Sequence, residues 1–574
     1  MPRIRRREDN GIRKNKLVWV LVYLILLVLL LGTAKAHLVP DKRISQQSQK
    51  QYWANISEGA TRGTITDRWG VPLAVSVPTT SFFIDPMYWD PASADFLAEA
   101  FGRETADKFS RPMEGRFHWV KRNLPKSVAD RVIDKKIPGL YTVTEIRRNY
   151  PHDSLAFHLI GFCDIDQLGQ AGVELEWNSL LYSPPRTRFV ARDSHGRGVE
   201  IIGGAQAPTK LNASSMRLTI DSGIQQIMEL RLAEGAKNAD ASWAAGVCVD
   251  PYTGEIIALA SYPTLNPNKR QSLSDENAVR NNVVGRVFEP GSIFKPIVTA
   301  IALESGNVSR NSTFMCHGTM KLFDKTMNDV NKRAHGFQDV THVIMNSCNI
   351  GMSLMSMRVP KYEAYGMLRQ FGFGEKSDVE IAGEEAGLMK EPEEWLGTVP
   401  ANIFIGQGIG VTPIQVVMAI SSIVNGGKLL KPYVIGEVRD SYGNVVHKGT
   451  RRVRYNVMSE GTAAFLRHAM AMVVSEGGGK QAKSDKVRIA GKTGTAQIAT
   501  SGQYKKGQYV ASFAGFWPAD KPKYVMVINI GEPKGTRYYG GQIAAPIFKA
   551  IAEDIVQSQG RDATRSLKVE NSLR

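Results

Sequence analysis

Cysteine is scarce in this chain, with four in 574 residues, at positions 163, 248, 316 and 348. So few thiols exclude a disulfide scaffold, and their linear spacing matches no zinc pattern. Neither a metal nor any other cofactor is therefore expected. Cys248 lies in an apolar strand-like run and reads as a buried thiol, and the pattern leaves room for one disulfide. Acidic residues are in deficit, 55 against 72 lysines and arginines, for a net charge of +17. That excess predicts attraction to anionic material, and the N-terminus favours anionic lipid and wall polymers over nucleic acid. Internal repeats and low-complexity blocks are absent, which excludes a repeat array. At 22% charged and 43% hydrophobic residues, disorder is not the default reading, and the length allows two or more domains.

One long hydrophobic run is present. Leu17 to Leu31 carries no charge, and the uncharged stretch reaches Ala34, about the minimum for a membrane span. Arg3, Arg5, Arg6, Arg7, Arg13, Lys14 and Lys16 precede it, opposed by Glu8 and Asp9. The positive-inside rule puts residues 1–16 in the cytoplasm and the rest outside the membrane, with residues 17–36 as a single-pass anchor. A cleavable signal peptide is the alternative, because Ala34-Lys35-Ala36 has the small-x-small form.

Past the anchor, residues 37–60 are polar with helical spacing, and Arg62 to Gly70 reads as a strand running into a turn. Near residue 216 the character changes. Met216 to Ile220 is strand-like, and Asp221 can cap a helix through about Lys237. Ala244–Val249 and Glu255–Ala260 read as strands joined by the turn-rich Asp250 to Gly254. Tyr509–Phe516 and Tyr524–Ile530 are further strands. An α+β domain over residues 216–556 follows, with an antiparallel sheet flanked by helices and a polar tail over residues 557–574.

Ser292-Ile293-Phe294-Lys295 is the one Ser-x-x-Lys in the chain. A serine and a lysine three apart share one helix face, where a neutral amine can take the hydroxyl proton. Pro296 implies that Ser292 sits at the very start of its helix. Ser347-Cys348-Asn349 follows 55 residues after Ser292, and Lys492-Thr493-Gly494-Thr495 follows 200 after it. In that order the three motifs form the signature set of penicillin-binding proteins and serine β-lactamases. Two phosphate-loop decoys fail: position 486, where a glycine is needed, is Lys486, and Gln481 follows Lys480.

With the Tyr262-to-Asn268 and Gly406-to-Gln415 runs added, nearly everything after the anchor resembles the class B penicillin-binding proteins. Taken alone, the second of those runs reads as a plain loop leading into a helix. The resemblance implies an elongated N-terminal pedestal of the dimerisation type over residues 37–215 and a D,D-transpeptidase domain over residues 216–556. Phe513 to Phe516 and Tyr538 to Pro546 resemble the division and sporulation branch more than the elongation branch. A septal role is expected, with elongation or sporulation as alternatives.

By resemblance, Ser292 attacks the penultimate D-alanine of a stem peptide, and an amine from a neighbouring stem resolves the acyl-enzyme. Lys295 is the implied base, its pKa lowered by burial and by Lys492. Ser347 would relay the proton and Asn349 would hold the substrate amide. Lys492 would supply positive charge, and Thr493 and Thr495 would bind the terminal carboxylate. Gly494 would let the substrate backbone approach. The oxyanion hole would be the backbone N–H groups of Ser292 and Thr495. Implied partners are peptidoglycan stem peptides, β-lactams as covalent inhibitors, a membrane glycan-strand polymerase and division proteins; nucleic acid is not among them. A D,D-carboxypeptidase or β-lactamase would usually place the serine near the mature N-terminus, whereas about 255 residues separate it from the anchor. A non-catalytic scaffold would not need intact motifs.

Overall fold

The computed structural model describes residues 5–38, 53–58, 60–115, 117–192, 198–199, 213–269, 273–323, 325–500 and 503–572. Two compact units result, one built from residues 1–59 and 184–209, the other from residues 60–183 and 210–574.

The first unit contains the helix Arg5–Leu38. Its segment Asn15–Lys35 has a mean hydropathy of 2.8, with no share buried by protein, and is long and apolar enough to cross a membrane. The helical spacing read over residues 37–60 does not hold at its far end. Trp53–Glu58 is a strand paired antiparallel with Arg186–Arg192, which pairs in turn with Gly198–Val199. The aromatic and β-branched residues Trp53 and Ile56 suit a ladder, and the partner strand supplies its hydrogen bonds. Residues 39–52 lie outside the described set.

In the second unit a seven-stranded sheet runs Val445–Lys448, Ile435–Arg439, Ser215–Leu218, Ile65–Thr66, Pro72–Ile84 and His118–Leu124, with Leu140–Asn149 also on Pro72–Ile84. Strands from both sides of residue 216 therefore share one sheet. The expected strand-and-turn after Arg62 is present. Asp67 Oδ1 accepts from Trp69 N and Val71 N, and Gly70 takes φ +88° to close the turn. Beside it Arg62 and Arg148 both pair with Glu174, all three buried. The Arg148 Nε–Glu174 Oε1 distance is 2.7 Å.

The second sheet is five-stranded and wholly antiparallel, in the order Ile256–Tyr262, Trp243–Val249, Tyr524–Gly531, Gln503–Trp517, Ala490–Thr500. Alternate residues of one strand point to opposite faces. Ala244, Cys248, Met526 and Ile528 pack with Met228, Leu232, Phe548 and Ile551 of the helices Ser222–Asn238 and Ala544–Ser572. Ala245, Val247, Val525 and Val527 belong to the opposite core, with Val416 and Ile420 of the helix Pro413–Val424. Both faces are covered, so these strands read as continuous apolar runs rather than alternating ones.

Asp221 caps its helix through Gly223 N and Ile224 N, as expected. The Gly406-to-Gln415 run does lead into a helix, where Thr412 and Gln415 form a capping box. The last helix, Ala544–Ser572, continues beyond its last packed residues, Ile555 and Val556, into the polar C-terminal stretch. All four cysteines are free and buried, so the disulfide that the pattern allowed is not formed.

Candidate active site

Ser292 lies in a 3-10 turn, Gly291–Phe294, that runs directly into the helix Lys295–Glu304. Pro296 falls in the first turn of that helix, where a missing N–H costs little. Ile293 and Phe294 are fully buried and anchor the turn, with Phe294 edge-on to Phe373 at 5.0 Å. Ser292 keeps partial exposure. Gly291 takes φ +55° and donates its N–H to Gly406 O at 2.9 Å. A Cβ at Gly406 would stand 2.1 Å from Gly291 O, so the two glycines permit a backbone contact no other residue pair could make.

Ser347 connects the helices Val340–Met345 and Asn349–Ser356 and holds a left-handed φ of +56°. For a non-glycine residue this backbone is costly, and it aims the hydroxyl into the site. Lys295 Nζ donates to Ser347 O at 2.6 Å, Asn349 Oδ1 at 2.7 Å and Ser347 Oγ at 3.3 Å. Lys492 Nζ donates to the same Ser347 Oγ at 2.9 Å and to Thr493 O at 3.1 Å. The two amines thus meet on one hydroxyl. With both acceptor positions of Oγ filled, its own proton is free to point elsewhere.

Lys295 and Lys492 are 0% and 1% exposed. Burial pulls Lys295 down to about 8, while Asp329 and Cys348 resist that fall. Burial first and the charge of Lys295 second hold Lys492 well below the usual lysine range. The repulsion expected to lower Lys295 therefore acts on Lys492, and desolvation alone lowers Lys295. An amine near 8 loses its proton at modest cost, after which one of its three donor positions becomes a lone pair.

Among the described residues the strand Ala490–Thr500 is the edge of its sheet, the position at which an added strand can pair. Lys492, Thr493, Gly494 and Thr495 all lie on it. Thr495 Oγ1 accepts from Gly540 N at 2.9 Å, which leaves its own hydrogen to donate. The reason read for Gly494 shifts. A Cβ there would stand 2.8 Å from Ile293 Cγ2 and 3.1 Å from both Ile293 N and Pro290 O. Glycine lets the strand press against the serine's own turn. Gly494→Ala is expected to displace Ser292 and slow penicillin acylation by roughly 10²-fold, on the scale of an ångström-sized misplacement. Stopped-flow acylation rates would show this.

All eight sequence-identified residues meet in this one region of the second unit. Asn349 is placed differently from expectation in one respect. Its Oδ1 holds Lys295 and its Nδ2 donates to Asn328 O at 3.1 Å, so one Nδ2 hydrogen is left for a substrate amide. Asp329 was missed. It is 4% exposed and its Oδ1 accepts from Asn349 N at 3.2 Å. Burial pushes its carboxyl up, but hydrogen bonds from the Cys348 thiol and the Asn349 and Val330 N–H groups, with Lys295 a smaller contributor, bring its pKa below the usual range. Gly540 was missed as well. No motif flags Asp329, and the Tyr538-to-Pro546 run that contains Gly540 gives it no role, because tertiary folding alone brings them to the site.

Known proteins resemble this chain along most of its length. Residues 244–553 match the penicillin binding protein transpeptidase domain, and residues 57–210 match the penicillin-binding protein dimerisation domain. Stage V sporulation protein D of Bacillus subtilis is 30% identical over 96% of this chain and 87% of its own length. The peptidoglycan D,D-transpeptidase FtsI of Escherichia coli K12 is 31% identical over 87% of this chain and 84% of its own. Among solved structures, penicillin binding protein 3 of Mycobacterium tuberculosis in its apo form superposes with a TM-score of 0.66. It is 27% identical and covers 88% of this chain and 97% of that one.

Proposed function

Since this chain belongs to the class B penicillin-binding proteins, the peptidoglycan D,D-transpeptidases that act through a serine acyl-enzyme, we propose that Ser292 is its nucleophile and septal wall synthesis its task. The observation that carries the first part is the hydrogen-bonded set Lys295–Ser347–Lys492 beside the serine's turn. Neutral Lys295 takes the Ser292 Oγ proton as Oγ attacks the carbonyl of the penultimate D-alanine. The tetrahedral oxyanion is held by Ser292 N–H and Thr495 N–H. Ser347 passes a proton to the departing amine of the terminal D-alanine, with Lys492 keeping that hydroxyl polarised. Thr493 and Thr495 bind the terminal carboxylate, and Asn349 binds the stem amide. A second stem's amine then attacks the ester, gives up its proton through the same relay and regenerates Ser292. β-Lactams acylate the same oxygen.

The basic N-terminal residues support a cytoplasmic tail, and hence a catalytic unit outside the membrane. No glycosyltransferase-like stretch precedes residue 216, so strand polymerisation falls to a membrane partner recruited with other division proteins. The Phe513-to-Phe516 and Tyr538-to-Pro546 runs, which resemble the division and sporulation branch, support septal use over elongation. A sporulation role is the second reading, favoured by similarity to stage V sporulation protein D along nearly the whole chain. Depletion during growth separates the two. Filaments with unclosed septa are the expected result; normal division with defective spores would overturn the septal assignment.

A further inference from the structure

Four side chains with metal-binding chemistry converge behind the Ser347 turn: Cys316, Asp329, His335 and Cys348, their donor atoms all within 4.8 Å of one another. Their linear spacing hides this, because each comes from a different segment. Cys316 ends the strand Thr313–Cys316, and Asp329 follows the strand Lys325–Asn328. His335 precedes the strand Gly336–Asp339, and Cys348 is the N-cap of the helix Asn349–Ser356. Both cysteines and Asp329 are buried, and the His335 side chain is 10% exposed.

Two of the separations fall in the range of a tetrahedral shell, a third is somewhat shorter, and Cys348 Sγ lies within 4.8 Å of the other three donors. Cys316 Sγ lies 3.5 Å from Asp329 Oδ2 and 3.7 Å from His335 Nδ1, and His335 Nδ1 lies 3.0 Å from Asp329 Oδ2. Bonds of about 2.3 Å to sulfur and about 2.0–2.1 Å to nitrogen or oxygen place tetrahedral ligands roughly 3.3–3.8 Å apart. The Cys316 thiol donates to Asp329 Oδ2 and to Arg333 O at 3.7 Å, and burial and then Asp329 raise the Cys348 thiol pKa. A bound cation must therefore displace both protons, and backbone N–H groups are in place for the resulting thiolates. Gly318 N donates to Cys316 Sγ at 3.4 Å, and Gly351 N donates to Cys348 Sγ at 3.2 Å. Asp329 is oriented by its other oxygen, Oδ1, which accepts from Val330 N at 2.9 Å and Asn349 N at 3.2 Å. These are the outer contacts that fix ligands around a metal. Two sulfurs with one imidazole and one carboxylate favour zinc over the hard cations, which take oxygen.

We propose that Cys316, Asp329, His335 and Cys348 bind one structural Zn²⁺ that clamps the residue 313–339 segment onto the Ser347–Asn349 turn. On binding, both thiols release their protons to solvent, the carboxylate is already ionised, and neutral His335 donates through Nδ1. All four positions are filled by protein, so the ion takes no part in chemistry. Through Asp329 Oδ1 and the Asn349 N–H, it fixes the loop on which Lys295 hangs.

Metal content is independent of whether Ser292 is the nucleophile, so the two are read separately. The full chain, purified in detergent with a histidine-free tag and no chelator, is analysed for metals by mass spectrometry. About one zinc per chain is expected, falling to background in Cys316→Ser and His335→Ala. Cobalt exchange into the unmutated chain should give a thiolate charge-transfer band and tetrahedral d–d bands, which does not depend on a variant folding. Background zinc in the native protein with no such bands would overturn the site, as would a Cys316–Cys348 disulfide in the isolated protein or zinc retained by both variants. Zinc removal is expected to slow acylation by roughly 10–100-fold, reversibly. An unchanged rate would contradict the clamp.

Discussion

Lys295→Ala is expected to lower the rate of penicillin acylation by roughly 10²–10⁴-fold, the usual worth of a general base. The lysine lies in the dry interior of the site, and its amine is a poor base only while protonated. Lys295→Arg should fail as badly, because a guanidinium keeps its proton and cannot accept another. The pH profile carries the same information. With its pKa near 8, Lys295 is mostly ammonium below that value and mostly amine above it. Native acylation should therefore climb as pH rises through about 8 and then level off. The residual rate of Lys295→Ala should lack that titration. A native profile flat from pH 6.5 to 9.5 would contradict the assignment of Lys295 as base.

Glu174→Ala should be the most destabilising single change outside the site. Glu174 is fully buried between Arg62 and Arg148, and Arg62 also donates to Gln167 O at 2.9 Å. Burial pushes the Glu174 carboxyl up, but the two guanidiniums outweigh it and hold the pKa below the usual range. Removing the carboxylate strands two buried cations, a loss of about 3–5 kcal/mol. Denaturant unfolding followed by tryptophan fluorescence would measure it, and a loss under about 1 kcal/mol would contradict the account. The sign with pH follows from the lowered pKa. This stabilisation is present above the carboxyl's unfolded value and is lost as pH falls through its folded one. Because the pair and its desolvation nearly cancel, Arg62→Met, Glu174→Leu and Arg148→Met together should recover most of the loss.

The parts of the site that could be read in the sequence are those carried by short, local patterns. Ser292 and Lys295 share a turn and a helix start, and Pro296 marks that start without tertiary help. The Lys492 strand declared itself by the apolar runs that follow it. What escaped depends on contacts between distant segments. Asp329 reaches Asn349 N only because short hairpins fold residues 313–339 under the turn. Gly494 has a visible glycine and a hidden reason, the pressure of Ile293 and Pro290 against its strand. The helical form of the polar C-terminal residues was not legible, because a helix that packs through Phe548, Ile551 and Ile555 can continue past its apolar face. The strand Trp53–Glu58 was missed because its partner stands more than a hundred residues away.

The central claim is that Ser292 is the acylated nucleophile. Incubating the full chain with labelled penicillin, digesting it and sequencing the modified peptide by mass spectrometry tests that directly. The predicted result is one stable adduct on the peptide holding Ser292-Ile293-Phe294-Lys295, absent from Ser292→Ala. An adduct on another residue, or no adduct on the native chain, would contradict it, and rapid loss of the label would mark a β-lactamase instead.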